Sequence, residues 1–527
     1  MTIALQRAPD DFHEDLGQRE PGVGGASLLF AVPHDYVIAE DDKGNRLPRL
    51  AAQQISTDDG TWQLNPDGSM VTTWKLRPNI KWHDGTPFTS QDLLFSYSVY
   101  KDPDVPATTG AALTRMQAAA APDPLTFVIT WNAPFVDADR APGLIPMPRH
   151  ILEEAYRADK TSLLNHSWFT TEFVGLGAYR LAKWEPGSHM EFARFDDYYR
   201  GPAPLDRLTV RFIADANALI ANILSGAVDV ILSEGVDIDA TMEVRRRWEG
   251  TRNQVIVLSE RACCGLRHLE LQLRPELARP NNGLPNLAVR TALFQGTDRK
   301  KLTEVITQGF GPIADSWVPP YHALRPQLES AVPPLPFDAG RAQQLLAQAG
   351  WARSPSGQLV HQTNGERVEI MLYSSQGANV ERAVNVIADD WKALGAEVEL
   401  YTIPIALAAD REHRSKLPGA GFTGGVGFDA FSSDRLHSRF ITSAANRWSA
   451  SNRGAYSNAR VDDILDRLVV TIAPSERINL HRDLLREQMG DIAIMPLYWD
   501  IRVVPAVQGV RNLDTGAWNL FEWTKEG

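Results

Sequence analysis

Cysteine is nearly absent from this chain of 527 residues: there are two, adjacent at Cys263 and Cys264. Neither C-x-x-C nor a Cys/His metal spacing is formed, so a zinc module or thioredoxin-type redox centre is excluded. A disulfide between neighbours in sequence is strained. That leaves two free thiols, or an exported protein that tolerates the pair. No apolar run reaches the roughly 20 residues a membrane helix needs. The opening residues, MTIALQRAPDD, have neither a basic stretch nor a long apolar one, so no signal peptide is read there. Basic surplus is lacking as well: the net charge is -12, and Arg245-Arg246-Arg247 is flanked by Glu243 and Glu249, as on a solvated helix face. A nucleic-acid partner is therefore not expected.

Enzyme signatures are missing in turn. No G-x-S-x-G elbow, H-E-x-x-H, P-loop or G-x-G-x-x-G occurs. His83-Asp84 offers a base and an orienter for a hydrolase on paper, but Gly85 and Pro87 beside it are turn residues. No cofactor and no metal site is expected.

What is present is an ordinary globular composition, 43% hydrophobic and 22% charged. At this length one core stops growing, and two or more domains are expected. The most informative stretch is Asn65 to Pro103. Met70, Thr72, Trp74 and Leu76 alternate with Val71, Thr73 and Lys75, which predicts a strand ended by Pro78. A turn at His83-Asp84-Gly85 follows. Thr89 and Asp92 have capping-box spacing at the head of a helix from Ser90 to Tyr100, with Leu93, Leu94, Tyr97 and Tyr100 as its apolar face.

Lys75-Leu76-Arg77-Pro78, then Lys81-Trp82-His83-Asp84-Gly85-Thr86-Pro87-Phe88-Thr89 and Asp92, resembles the signature of the family 5 extracellular solute-binding proteins of ABC importers, the oligopeptide, dipeptide and nickel type. The likeness runs on through Phe173–Tyr179, Gly226-Ala227-Val228-Asp229, Asn286–Ala292, Phe337–Trp351, Trp448–Asn458 and Ile494–Trp499. It is weakest over Gly110–Ala121, Thr161–Thr170 and Arg353–Gly365. Glycines 175 and 177 lack the third glycine of a dinucleotide fingerprint and read instead as places of close backbone approach. Val368–Tyr373, Val380–Leu394 and Glu397–Tyr401 form a strand–helix–strand unit, implying a right-handed crossover and a parallel sheet.

The resemblance implies an α/β fold of the two-lobe periplasmic-binding-protein type (type II, cluster C-like) with an extra subdomain in the first lobe. The expected boundaries are residues 1–262 plus 495–527 for lobe I, with the inserted subdomain at about 76–170, and 263–494 for lobe II. It implies a monomer that captures a small solute in an interdomain cleft and delivers it to ABC permease subunits. The location expected is periplasmic or anchored at the cell surface, the leader already removed. Candidate ligand contacts are His34 and Asp35, Cys263 and Cys264, Phe422, Phe428, Asp429, Phe431, Arg435 and Trp499. Peptide-binding members carry a Gly-Trp-x-Ala-Asp segment whose aspartate takes the peptide's α-amine. This chain has Gly421-Phe422-Thr423-Gly424-Gly425 there, which puts unmodified di- and tripeptides in doubt and brings forward opine-like, sugar-like or modified-peptide solutes. No histidine cluster suggests nickel. The alternatives are a solute-sensing ectodomain and, from another class, the hydrolase built on His83 and Asp84.

Overall fold

The structure is a computed structural model that describes residues 1–9, 11–12, 29–41, 43–105, 111–232, 238–258, 265–281, 283–332, 334–426, 435–513 and 521–526. The chain divides into two compact units, Met1–Leu258 with Arg502–Gly527, and Ser259–Ile501. The crossings thus fall at 258/259 and 501/502, rather than at 262/263 and 494/495. The second shift has a clear cause. Ile494–Trp499 is an unbroken apolar run that pairs antiparallel with Leu266–Leu271 in the second unit, from Leu266 opposite Trp499 to Glu270 opposite Ile494. The return begins at Arg502–Ala506, which pairs antiparallel with Gln254–Leu258 so that Leu258 faces Arg502.

The first unit is built on a seven-stranded sheet. Its inner strand, Thr2–Leu5, runs parallel to both neighbours, Arg207–Phe212 and Val230–Ile231. Ile3, Ala4 and Leu5 are all fully buried, as expected for a strand covered on both faces. Asp215 caps the helix Ala216–Leu224 by accepting from the Ala218 amide at 2.7 Å. Leu219 and Ile223 of that helix pack with Ala4, Ile231, Val244 and Trp248.

A separate four-stranded antiparallel sheet, in the order Trp62–Leu64, Met70–Lys75, Thr126–Trp131, Met116–Asp123, carries the signature stretch. It begins before residue 76, because Met70–Lys75 is its second strand. The expected helix spans Ser90–Lys101 with the capping box in place: Asp92 accepts from the Thr89 amide at 2.9 Å, and the Thr89 hydroxyl accepts from Gln91 at 3.3 Å. Its buried face differs from the sequence reading. Leu93, Phe95, Ser96, Val99 and Tyr100 are inside, whereas Leu94 and Tyr97 are only half-buried. The Ser96 hydroxyl explains part of this rotation, since it accepts from the Met147 amide at 2.9 Å.

The second unit holds a five-stranded sheet in the order Glu397–Thr402, Glu369–Ser374, Ala420–Val426, Leu266–Leu271, Ile494–Trp499. Glu369–Ser374 is parallel to both neighbours, and the helix Ala378–Leu394 makes the predicted crossover. Sheet side chains divide between two cores. Leu269, Leu271, Met495 and Leu497 join Trp391 and Leu293 in one, and Leu266, Ile494 and Trp499 join Trp317, Leu465 and Leu484 in the other. The outer edge of Ile494–Trp499 is not left open: the amides of Ala314 and Trp499 bond to Leu497 and Pro312 carbonyls at 3.1 and 2.9 Å.

Trp499 is therefore a core side chain of the second unit, 1% exposed, with its ring edge-on to Tyr321 at 6.3 Å. Truncating a buried tryptophan leaves a cavity the surroundings fill only in part, at about 3–5 kcal/mol. Trp499→Ala is expected to destabilise the protein by that amount in urea unfolding. A loss below about 1 kcal/mol would show that the ring is not part of this core.

Candidate functional site

The strand Leu266–Leu271 places His268 and Glu270 two residues apart, which puts both on one side of the sheet. Opposite Glu270 in register stands Gly421. A Cβ on Gly421 would sit 2.4 Å from the Tyr373 ring, so only glycine lets that ring lie across the neighbouring strand. A recess opens here, lined among others by His268, Glu270, Trp317, Arg435, Asn452 and Arg453, with about 360 Å³ of empty space that includes adjoining solvent.

Its rim is fixed by the Trp448–Asn458 segment. Gly454 packs so close that an added Cβ would lie 2.2 Å from the Leu271 carbonyl, and the Leu273 amide bonds to the Gly454 carbonyl at 2.8 Å. Arg274 clamps the same segment, donating to the carbonyls of Arg453 at 2.6 Å and Thr442 at 2.7 Å. Asn452 is wholly occupied: it donates to the His437 and Tyr456 carbonyls at 3.2 and 2.8 Å and accepts from the Tyr456 amide at 3.1 Å. The backbone that carries the Arg453 guanidinium is thus pinned on both sides.

The electrostatics turn on Glu270, whose side chain is 14% exposed. Arg453 Nη1 lies 3.8 Å from its carboxylate, Arg435 Nη1 3.9 Å and His268 Nε2 3.9 Å. Burial alone would push the carboxyl up, but His268, Arg453 and Arg435 outweigh it and hold it at about 2. Burial and then the Glu270 charge push the Tyr373 hydroxyl up from its ordinary value. All three cationic or ionisable neighbours stand beyond hydrogen-bonding distance of the carboxylate. The Trp317 Nε1 and His268 Nε2 atoms are buried without a hydrogen-bond partner.

Of the described residues singled out in the sequence, Arg435 alone lies at this recess. Asp35 is 2% exposed in the first unit, and its carboxylate is saturated. Arg49 Nε donates to both oxygens at 3.1 and 3.3 Å, and the hydroxyls of Tyr198 and Tyr199 donate at 2.8 and 2.9 Å. Burial, then the Asp35 charge, push both tyrosines up. Phe521 lies between the Arg49 and Arg200 guanidiniums, 4.5 and 4.3 Å from its ring centre. His34 is buried among Phe30, Trp82 and Phe173, with Nδ1 accepting from the Leu176 amide at 3.3 Å. The close approach read from glycines 175 and 177 is present, since a Cβ on Gly177 would lie 2.6 Å from the His34 amide nitrogen. Phe422 is core in the second unit, 5% exposed. Cys263, Cys264, Phe428, Asp429 and Phe431 lie outside the described residues.

The His83–Asp84 pair does not assemble. His83 donates from Nε2 to the Gly177 carbonyl at 3.0 Å, accepts at Nδ1 from the Gly175 amide at 3.1 Å, and is lowered by burial to about 4. Asp84 instead bonds to His150 at 2.7 Å. Glu270, His268, Trp317 and Arg453 escaped the sequence reading. The available signal was a charged residue enclosed by leucines, Leu269-Glu270-Leu271, at the alternate position of a strand. Among the described residues no group of three or more His, Cys, Asp or Glu side chains could hold a metal ion, and no helix is long and apolar enough to cross a membrane.

Solved structures share this fold along the whole chain. NikA from Brucella suis, solved in complex with Fe(III)-EDTA, superposes with a TM-score of 0.78 at 17% identity, covering 100% of this chain and 99% of that one. In sequence, residues 53–446 match the bacterial extracellular solute-binding proteins, family 5 Middle, and the chain belongs to that family. The oligopeptide-binding protein AppA of Bacillus subtilis is 22% identical over 342 residues, 64% of this chain and 59% of that protein. The chain thus spans about six-tenths of AppA in that match. Heme-binding protein A of Haemophilus influenzae is 24% identical over 449 residues, 80% of this chain and 74% of that protein.

The buried Asp35 and the partly buried Glu270 give separate expectations. Asp35→Asn leaves the Arg49 charge unmatched inside the first unit and is expected to cost about 3 kcal/mol in chemical denaturation. Glu270→Gln should cost on the order of 2 kcal/mol at neutral pH, less because the site is partly wet. Since the Glu270 carboxyl is held below its ordinary value of 4.5, its contribution is complete above that pH and is lost as pH falls toward about 2. The stability gap between parent and Glu270→Gln should therefore close across that interval. A gap independent of pH would contradict the assignment.

Proposed function

We infer that this chain is the solute-capturing component of an ABC importer, acting as a monomer on the periplasmic or outer side of the membrane and handing a small peptide or peptide-like solute to its permease. The observation that carries this reading is membership of the solute-binding family over residues 53–446. The recess of the second unit supports it. Polar groups that converge from the sheet (His268, Glu270) and from segments beside it (Trp317, Arg435, Arg453) are what recognition of a small polar molecule requires. A peptide-like solute fits the oligopeptide-binding relative, AppA. Transport is favoured over catalysis because His83 and Asp84 spend their polar atoms on other partners.

The test begins with protein unfolded and refolded to strip any molecule carried through purification. It is then offered an equimolar tripeptide library, and retained peptides are read by native mass spectrometry. A retained peptide, resynthesised and added at a hundred times its dissociation constant, should stabilise the protein by about 2.7 kcal/mol. Refolded protein that keeps no peptide would overturn the peptide reading.

A further inference from the structure

The recess carries more than a general capacity to bind. Two guanidiniums against one carboxylate leave a single positive charge over, in a place where Glu270 is only 14% exposed. Neither Arg435 nor Arg453 donates a side-chain hydrogen bond among the described residues; each faces Glu270 across 3.8–3.9 Å, with about a third of its side chain open to solvent. An arginine fork has five N–H donors, and here they are left to water or to an entering guest. Trp317, another lining residue, has a buried and unpartnered indole N–H, a group that can donate but never accept. A recess this rich in idle donors calls for an acceptor, and its surplus charge calls for an anion of charge -1.

We propose that this recess is a carboxylate-binding subsite: Arg435 and Arg453 take a carboxylate group of the solute, with the Trp317 N–H as a further donor and Glu270 as the fixed countercharge that keeps the two guanidiniums together. A carboxylate matches the single surplus charge, whereas a dianionic phosphate would leave the recess negative. Glu270 does not compete for the donors, because it stands outside hydrogen-bond range of both forks. The subsite selects solutes with an acidic group at this point over their amides. The inference rests on the solute-binding reading and sharpens its substrate class.

Glutarate is the direct probe, one carboxylate entering the recess as the single matching charge and the other staying in solvent, with 1,5-pentanediol as its uncharged counterpart and sodium chloride to match ionic strength. The comparison protein is E270Q/R435Q/R453Q, in which the recess loses all three charges together and no single charge is stranded. Glutarate is expected to raise the melting midpoint of the parent protein, with no shift from the diol and none in the triple variant. In the tripeptide library, the parent should retain acidic peptides at least about tenfold over their side-chain amides, the worth of one charge-assisted contact, and the variant should lose that preference. No shift with glutarate, an equal shift in the triple variant, or retained peptides without acidic enrichment would each overturn the proposal. A glutarate shift confined to the parent, with no tripeptide retained, would keep the subsite and remove the peptide reading.

Discussion

A carboxylate can leave water only if its charge is met where it goes. Each unit of this protein is arranged around one that has done so, and the two are met in different ways. Asp35 receives one guanidinium, two hydroxyls and the Tyr36 amide at hydrogen-bonding distance, so both its oxygens are engaged at least twice. Glu270 has its charge more than met by two guanidiniums, but none of the surrounding groups touches it closely enough to bond. The first arrangement is complete and holds structure together. The second has one positive charge over and is unfinished in hydrogen bonding, which is the condition in which an anionic guest gains by entering.

Much of the architecture was legible because it depends on local chemistry. Thr89 and Asp92 have the spacing that closes a capping box whatever surrounds them. The strand–helix–strand unit around Ala378–Leu394 follows from periodicity alone. The return crossing was less legible, since both Ile494–Trp499 and Arg502–Ala506 read as strands and only pairing assigns one to each unit. Side-chain rotation on the Ser90–Lys101 helix was missed for a related reason: Ser96 is buried by a tertiary hydrogen bond that no apolar pattern announces.

The site was hardest to see. Aromatic residues near the inferred crossing were natural candidates, but Phe422 and Trp499 fill cores. His34 and Asp35 face inward because Tyr198 and Tyr199, more than 160 residues further along the chain, come to meet Asp35. The recess brings together parts of five separate segments, around residues 270, 317, 435, 453 and 494. Only the oddity of a glutamate among leucines marked it, and an oddity names no partners.

The pairing of Gln254–Leu258 with Arg502–Ala506 has a further consequence. Leu258 faces Arg502, so the points where the chain leaves and re-enters the first unit's sheet are hydrogen-bonded neighbours. Topologically those strands are a hairpin whose loop is the whole of residues 259–501. Closing so long a loop costs only logarithmically more than closing a short one, and a loop that folds on itself removes even that dependence. A gene encoding the first unit could therefore have gained, lost or exchanged its second half at one seam, with the sheet keeping its register on either side.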